Sequence, residues 1–333
     1  MLGPMFTLEK FEQTRALLRD KVRITPLIYS DALSARSGNR VYLKAENLQL
    51  THSFKIRAAY GGLLRQLEAA RKHGVVTGSS GNFARAIAHV CREQGVRVTV
   101  VMLERSAPNK IAAARKLGAE VVFCANDFAV RRATVDRLSR EQGKVLVHSF
   151  DDEGTIRGNG TLGFELLEQA PDADVVLVPV SGGGLVAGTS AVLKQSGAPA
   201  RIYGVQPQVL PSMKVSLTQG KPTAVPNEPS VADGLVANRP GRLTFALAQQ
   251  YVDDVLLVSE EEIVGATVRL LEEDKLVVEP AGAVGVAALL RHLAGKEKNQ
   301  KIVIVLSGGN IEPGRLAEMV RSRAQRTAAS ARS

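Results

Sequence analysis

The sequence predicts an α/β protein built of two doubly wound, three-layer domains with mainly parallel sheets. Two observations lead to this prediction. Short valine-rich runs alternate with helical stretches, which is typical of strands joined by crossover helices in a parallel sheet. The alternation occurs twice, in residues 73–149 and again after residue 175, and a chain of 333 residues is long enough for about two domains.

Three elements are predicted before the first alternating region: an amphipathic helix from Phe6 to Lys21, a strand from Val41 to Glu46 and a helix from Ile56 to Lys72. The strands of the first region are predicted at Val75–Val76, Val96–Met102, Glu120–Cys124 and Val145–Val147. Its helices are predicted at Asn82–Gln94, Asn109–Leu117 and Phe128–Gln142. Glycines end the helices that lead into these strands, where a left-handed cap suits glycine.

The second region has predicted strands at Val175–Val180, Ile202–Gln206, Val255–Val258 and Ile302–Leu306. Its helices are predicted at Leu185–Gln195, Thr244–Gln250, Glu260–Glu273 and Ala281–Leu293, and residues 208–229 are predicted to be a long surface connection. We therefore expect a large cofactor-binding domain from residues 1–72 and 150–320. Residues 73–149 are expected to form a small domain that closes on the substrate, and residues 321–333 a flexible tail.

The net charge of +10 does not indicate a nucleic-acid-binding protein. Four arginines lie in the last 13 residues, and without them the body carries about +6 with interspersed charges. Aromatic residues make up only 4% of the chain and tryptophan is absent, which argues against a platform for stacking bases. We expect neither a nucleic-acid partner nor a membrane partner, since no apolar run approaches the ~20 residues of a membrane span.

The two cysteines, Cys91 and Cys124, have no partners at metal-binding spacing and do not form a disulfide framework. The N-terminal residues carry Glu9, Lys10 and Glu12, so they lack the apolar core of a signal peptide. We expect a cytoplasmic protein.

The stretch Thr51 to Ala59 contains the candidate catalytic residue, Lys55, directly after Phe54. It lies between a predicted strand and a predicted helix, where a lysine can be buried at the end of a strand. Burial lowers the pKa of a lysine and makes its amine a usable nucleophile and base. Since most lysines are solvated surface residues, the prediction depends on what the rest of the chain supplies.

A glycine-rich turn, Ser181-Gly182-Gly183-Gly184-Leu185, follows the strand predicted at Val175–Val180. Consecutive glycines let backbone N–H groups converge on an anion, and the next helix adds its positive N-terminal end. The turn is neither a Walker A loop nor a dinucleotide-binding fingerprint. It indicates a phosphate site, with a tight strand-to-helix turn as the alternative.

Two further turns follow strands. Gly78-Ser79-Ser80-Gly81-Asn82-Phe83 offers hydroxyl, amide and helix-start N–H groups that suit a carboxylate, with an ordinary helix cap as the alternative. Ser307-Gly308-Gly309-Asn310 follows the last predicted strand, and here too a plain turn is the alternative. Ligands in open α/β sheets bind beyond the carboxyl ends of strands, so we expect these turns to meet.

Six short segments occur in the order and approximate spacing of the pyridoxal-phosphate serine/threonine dehydratases. They are Ser53-Phe54-Lys55, Ser80-Gly81-Asn82, the glycine-rich turn, Asp233-Gly234, Glu279-Pro280-Ala281-Gly282 and Ser307-Gly308-Gly309-Asn310. Over residues 20–315, approximately, the chain resembles this family, which includes threonine ammonia-lyase and serine racemase. The resemblance implies fold type II of the pyridoxal-phosphate enzymes, the tryptophan synthase β-like fold, and a homodimer or homotetramer.

The resemblance also implies a role for each site residue. Lys55 would hold pyridoxal 5'-phosphate covalently and take the substrate α-proton. The remaining cofactor contacts would come from Phe54, Asn82, Gly182, Gly183, Gly184, Leu185 and Ser307. The substrate carboxylate would be held by Ser79, Ser80, Asn82, Phe83 and Arg131. A hydroxyl such as that of Ser307 is a neutral partner for the pyridine nitrogen, which favours rapid loss of a β-hydroxyl group.

The implied function is β-elimination from a small β-hydroxy amino acid such as threonine or serine, giving a 2-oxo acid and ammonia. Ser80 stands where serine racemases have a proton-returning hydroxyl, so an amino-acid racemase is an alternative. A cysteine or threonine synthase of the same fold is a second alternative. A non-catalytic module that binds a phosphorylated ligand is a third.

Four residues depart from the family pattern: His52, Ala58, Phe83 and Arg85 stand where the family usually has Gly, Gly, His, and Gln or Gly. These departures favour a modified substrate, such as 3-hydroxyaspartate or the hydroxylated diamino acid from hydroxyectoine breakdown. Some relatives bind a divalent cation through acids after the strand at Ile202–Gln206. Because Gln206, Leu210 and Ser212 occupy that stretch, we expect no metal there.

Overall fold

A computed structural model describes residues 3–296 and 298–330, and it places ten strands in two sheets. The six-stranded sheet has the order β1-β2-β10-β7-β8-β9 and the four-stranded sheet the order β5-β4-β3-β6. The strands are β1 Leu27–Tyr29, β2 Arg40–Lys44, β3 Val75–Gly78, β4 Val98–Leu103, β5 Glu120–Cys124, β6 Val145–Leu146, β7 Val175–Pro179, β8 Arg201–Pro207, β9 Asp254–Val258 and β10 Lys301–Val305. Only β1 runs antiparallel to its neighbour, so the predicted α/β class with mainly parallel sheets is confirmed.

Fourteen α-helices lie in the described part of the chain. They are α1 Leu8–Leu18, α2 Asp31–Ser37, α3 Lys55–Leu64, α4 Leu67–His73, α5 Asn82–Glu93, α6 Pro108–Lys116, α7 Phe128–Gln142, α8 Glu153–Gln169, α9 Gly184–Gln195, α10 Ser212–Gln219, α11 Arg242–Tyr251, α12 Glu260–Glu272, α13 Pro280–Ala288 and α14 Pro313–Ser330. A π-helical turn, Leu289–Leu293, continues α13. All nine residues of α13 are buried, so this helix forms part of the core against the six-stranded sheet.

The predicted helix from Ile56 to Lys72 is two helices, α3 and α4, which are separated at Arg65 and Gln66. The predicted surface connection over residues 208–229 is wrong in part, because it contains α10, in which Met213 is fully buried. No element was predicted for residues 153–169, where the 17-residue helix α8 lies. Its four glycines lower intrinsic helix propensity, so the local sequence does not indicate a helix.

The glycines of α8 allow close packing between helices. A Cβ atom at Gly158 would overlap the carbonyl oxygen of Arg57 in α3, and one at Gly61 would lie 2.8 Å from the Cα of Gly158. The two backbones therefore touch, as small residues at a helix crossing allow. This contact fixes α3, the helix that begins at Lys55, against the large core.

Replacing Gly158 with alanine is therefore expected to destabilise the protein by about 1–3 kcal/mol or more, the usual cost of overpacking. The clash is with backbone, which cannot swing away as a side chain would. The measurement is the midpoint of urea unfolding. Gly265→Ala is the matched control, because Gly265 lies within α12 with no atom close to its added Cβ. That variant should be neutral or slightly stabilised, and equal midpoints for the two variants would contradict the packing argument.

The predicted domain boundaries remain a prediction. The four-stranded sheet contains only strands between Val75 and Leu146, and the strands of the six-stranded sheet come from both sides of that segment. Helix α14 covers most of the predicted tail of residues 321–333, the last three of which lie outside the described residues.

Candidate active site

A cavity of about 410 Å³ lies where the carboxyl ends of the two sheets face each other. Strands β2, β10 and β7 are parallel neighbours, so the segments that follow them converge at one edge of the six-stranded sheet. The segments that follow β3, β4, β5 and β6 contribute the opposite wall. All of the predicted site residues line this cavity: Phe54, Lys55, Ser79, Ser80, Asn82, Phe83, Arg131, Gly182, Gly183, Gly184, Leu185 and Ser307.

Lys55 is the first residue of α3, and its amine is buried. Nζ donates a hydrogen bond to the carbonyl oxygen of Ser149 at 3.1 Å. The amine lies 4.8 Å from the ring centroid of Phe54 and 5.9 Å from that of Phe83. Burial lowers the pKa of Lys55 to about 8, against an opposing effect of the Glu279 carboxylate. An amine of this kind is a nucleophile and a base at mildly alkaline pH.

The turn before Lys55 has a strained backbone. Thr51 and His52 both have φ of 59°, a left-handed conformation that is uncommon for a non-glycine residue and a genuine outlier for a β-branched one. The conformation gives a physical reason for the glycine that the family usually has at position 52. It also directs the His52 carbonyl oxygen to the backbone N–H of Gly309, at 2.9 Å.

The glycine-rich turn has the geometry of an anion cradle. Gly183 has φ of +96°, and a Cβ there would lie 2.6 Å from Cε of Met213. A Cβ at Gly182 would overlap the ring of Phe150, so neither position has room for a side chain. Helix α9 begins at Gly184 with no side-chain cap, which leaves its first N–H groups available to an anion. These features fit a phosphate group.

The segment after β3 is also suited to an anion. Helix α5 begins at Asn82 after Gly81, which provides no side-chain cap. Ser80 Oγ accepts a hydrogen bond from Ser106 Oγ at 2.7 Å, which holds the Ser80 hydroxyl at the cavity wall. The free N–H groups and the hydroxyls fit a carboxylate.

Asn82 joins this segment to the other half of the cavity. Its Nδ2 donates to Oε1 of Glu279 at 2.6 Å. Burial, together with the nearby Asp233 carboxylate, raises the pKa of Glu279 to about 7. Ser307 lies nearby, almost completely buried, and its carbonyl oxygen accepts from the backbone N–H of Phe54.

Arg131 lies on α7 with its guanidinium at the cavity wall, 4.9 Å from the ring centroid of Phe128. Burial lowers its pKa. Among the described residues, no carboxylate or hydrogen-bond acceptor pairs with it. A half-buried guanidinium that no described acceptor binds is suited to an anionic ligand.

Several lining residues were not assigned roles from the sequence. Lys110 forms an ion pair of 2.7 Å with Asp233 across the cavity mouth. Ser149 and Phe150, which contact Lys55 and the glycine-rich turn, follow the two-residue strand β6. For Ser149 and Phe150, the sequence signal that could have identified them was their position beyond the carboxyl end of a strand. For Asp233 and Glu279, the signal was that each belongs to one of the six short segments shared with the dehydratase family.

The stretch predicted to lack a metal site holds neutral polar groups. Oε1 of Gln206 accepts from the backbone N–H groups of Met213 at 2.9 Å and Lys214 at 3.1 Å, at the start of α10. No group of three or more His, Cys, Asp or Glu side chains within the described ranges could hold a metal ion. The same ranges contain no helix long and apolar enough to cross a membrane.

Comparisons with known proteins agree with this geometry. The family model described as "Pyridoxal-phosphate dependent enzyme" matches residues 18–308. The L-threonine ammonia-lyase of Thermotoga maritima is 44% identical over 308 residues, which are 92% of this chain and 76% of that protein. Maize serine racemase superposes with a TM-score of 0.89 at 32% identity, covering 96% of this chain and 98% of its own. The processed form of threonine deaminase isoform 2 from Solanum lycopersicum superposes with a TM-score of 0.88 at 32% identity, covering 94% and 92%.

Proposed function

The chain belongs to the family of pyridoxal-phosphate dependent enzymes, and from that premise we propose that it is an ammonia-lyase acting on threonine or a similar small β-hydroxy amino acid. The reaction removes the β-hydroxyl group as water, and the enamine so formed hydrolyses to a 2-oxo acid and ammonia. The observation that carries the proposal is the position of Lys55. This buried amine lies where the glycine-rich turn, the Ser79–Phe83 segment and Ser307 meet.

The residues around Lys55 fit pyridoxal phosphate, which when bound supplies an electron sink for negative charge at the substrate α-carbon. Lys55 would hold the cofactor and take the α-proton. The backbone N–H groups from Gly182 to Leu185 would bind its phosphate, because Gly182 and Gly183 have no room for side chains and no side chain caps the start of α9. Asn82 would donate to the ring hydroxyl, and Ser307 would face the ring nitrogen.

The substrate carboxylate is assigned to the start of α5. Ser79, Ser80, Asn82 and the N–H of Phe83 would hold it, at a helix N-terminus that favours negative charge. Phe54 and Phe83 flank the Lys55 amine with apolar rings and contribute to its burial. Burial keeps the amine neutral at a lower pH, which suits its role as base.

A second candidate substrate is a β-hydroxy amino acid with an additional acidic group, such as 3-hydroxyaspartate. The observation in its favour is the guanidinium of Arg131, which lines the cavity and has no anionic partner among the described residues. Ser80 supports racemisation as a second activity of the same site, because its hydroxyl also lines the cavity.

The test is a substrate panel on the purified, cofactor-loaded enzyme. D and L forms of threonine, serine and 3-hydroxyaspartate are each assayed for 2-oxo acid, for ammonia and for optical inversion. We expect ammonia and 2-oxo acid in equal amounts, fastest from L-threonine or L-serine. Faster turnover of 3-hydroxyaspartate would favour the acidic substrate, inversion without ammonia would favour a racemase, and no reaction with any of them would contradict the proposal.

A homodimer or homotetramer and a cytoplasmic location complete the proposal. The oligomeric state is proposed from the family resemblance alone. Both cysteines are buried and free, which supports a reducing compartment. Light scattering during size-exclusion chromatography measures the oligomeric state.

A further inference from the structure

Arg85, one of the four departures from the family pattern, begins a chain of hydrogen bonds that ends at the cavity. Its Nη1 donates to Oδ1 of Asn310 at 2.6 Å. Nδ2 of Asn310 donates to Oδ1 of Asn82 at 2.9 Å, and Nδ2 of Asn82 donates to Glu279. We call Arg85, Asn310, Asn82 and Glu279 the amide relay. It crosses between the two halves of the molecule, since α5 carries Arg85 and Asn82 while Asn310 follows β10.

The two ends of the amide relay differ in how firmly they fix an amide. A guanidinium only donates hydrogen bonds, so the oxygen of Asn310 must face Arg85. The carbonyl oxygen of Thr51 can only accept a hydrogen bond, and it accepts one from Nδ2 of Asn310 at 2.9 Å. Asn310 is therefore held in one orientation from both sides.

Glu279 cannot fix Asn82 in the same way. Its pKa is raised to about 7, so near neutral pH it exists as both carboxylate and carboxylic acid. The carboxylate accepts from the nitrogen of Asn82, whereas the acid can also donate to its oxygen. The orientation of the Asn82 amide consequently depends on Asn310, which Arg85 holds through its oxygen and the Thr51 carbonyl through its nitrogen.

We propose that Arg85 is a positioning residue, which acts through Asn310 to keep the N–H side of the Asn82 amide turned toward the cavity. The inference rests on the proposed function, in which Asn82 donates to the ring hydroxyl of pyridoxal phosphate. The strained turn at Thr51 and His52 belongs to the same arrangement, because it supplies the carbonyl oxygen that Asn310 binds.

The test compares Arg85→Ala, Asn310→Ala and the double variant with the wild-type enzyme. Protein from which the cofactor has been removed is titrated with pyridoxal phosphate to obtain the dissociation constant. The cofactor-loaded protein is then titrated with base while its visible absorbance is followed. We expect each single variant to bind the cofactor roughly three- to tenfold more weakly, the range for one net hydrogen bond. The pH midpoint of the absorbance change should rise, because an N–H donor favours the deprotonated ring hydroxyl.

The double variant identifies the route. If Arg85 acts through Asn310, the double variant should match Asn310→Ala alone, and Arg85→Lys should restore part of the affinity. Arg92→Ala, on the exposed face of the same helix, is the control and should match the wild type. Additive losses in the double variant, or an unchanged affinity and pH midpoint in Arg85→Ala, would overturn the proposal. These measurements use no substrate, so a wild type that binds the cofactor but fails the substrate panel would leave this test intact.

Discussion

Replacing Lys55 with alanine is expected to lower kcat/KM for ammonia release by a factor of roughly 10³ or more. General-base catalysis alone contributes typically about 10²–10⁴, and in the proposed function the variant would also lose the amine that holds the cofactor. The measurement is 2-oxo acid formation with the best substrate of the panel. Lys72→Ala, an exposed lysine on α4, is the matched control and should retain full activity. Activity of Lys55→Ala within tenfold of the wild type would rule out the assigned role.

The pH dependence of Lys55 provides a second check on the same residue. Its pKa is lowered from 10.5 to about 8, so the neutral amine should predominate above about pH 8. Labelling of stripped protein with an amine-reactive reagent, quantified for Lys55 by mass spectrometry, should therefore rise with a midpoint near pH 8. The sign follows from burial, which disfavours the charged form of a lysine. A midpoint near 10.5 would show that the amine is solvated.

Replacing Arg57 with alanine is expected to destabilise the fold by about 3–5 kcal/mol, the usual cost of removing one partner from a buried ion pair. Arg57 and Glu46 are fully buried, and two nitrogens of the guanidinium bind the two carboxylate oxygens at 2.8 Å each. A third nitrogen lies 2.6 Å from Glu165, which also pairs with buried Lys44. The variant would leave the Glu46 carboxylate buried without its guanidinium partner. The midpoint of urea unfolding measures the loss.

Two variants make the Arg57 prediction specific. Arg15→Ala removes a surface pair with Glu168, whose side chains are 43% and 52% exposed, and should cost at most about 1 kcal/mol. Arg57→Lys keeps the charge but loses the two-pronged contact, so it should lie between Arg57→Ala and the wild type. If Arg57→Ala unfolded at the same urea concentration as Arg15→Ala, the buried cluster would not be a determinant of stability. Because Arg57 lies two residues after Lys55, the cluster also anchors the first turn of α3.

The predictable part of the fold followed from local patterns. The alternation of valine-rich runs and helical stretches located β3 to β10, with boundaries that differ by one or two residues for most of them. Helix α8 was not predicted because its glycines oppose local helix formation. They are explained only by the helices that pack on α8, which are α3 at Gly154 and Gly158, α1 and α9 at Gly160, and α9 at Gly163. Helix α10 was missed for a related reason, since its short polar sequence becomes helical where Gln206 caps its first N–H groups.

The site, like the fold, has a part that could be predicted from the sequence and a part that could not. Lys55, the glycine-rich turn, the Ser79–Phe83 segment and Ser307 could be selected from the sequence, because glycine and serine clusters after strands are local signals and strand ends of a parallel sheet meet. The partners of these residues could not. Lys55 binds the carbonyl of a residue 94 positions away, Asn82 binds Glu279 across 197 positions, and Asn310 reaches Asn82 across 228.

By itself, the sequence determined the fold class and selected Lys55 and the turns that face it as the candidate site, since each depends on residues close together in the chain. Only the tertiary structure decided the burial that lowers the pKa of Lys55, the strain at Thr51 and His52, and the route from Arg85 to Asn82. Desolvation and hydrogen-bond direction are properties of the assembled surroundings, and those surroundings are made by segments from opposite ends of the chain.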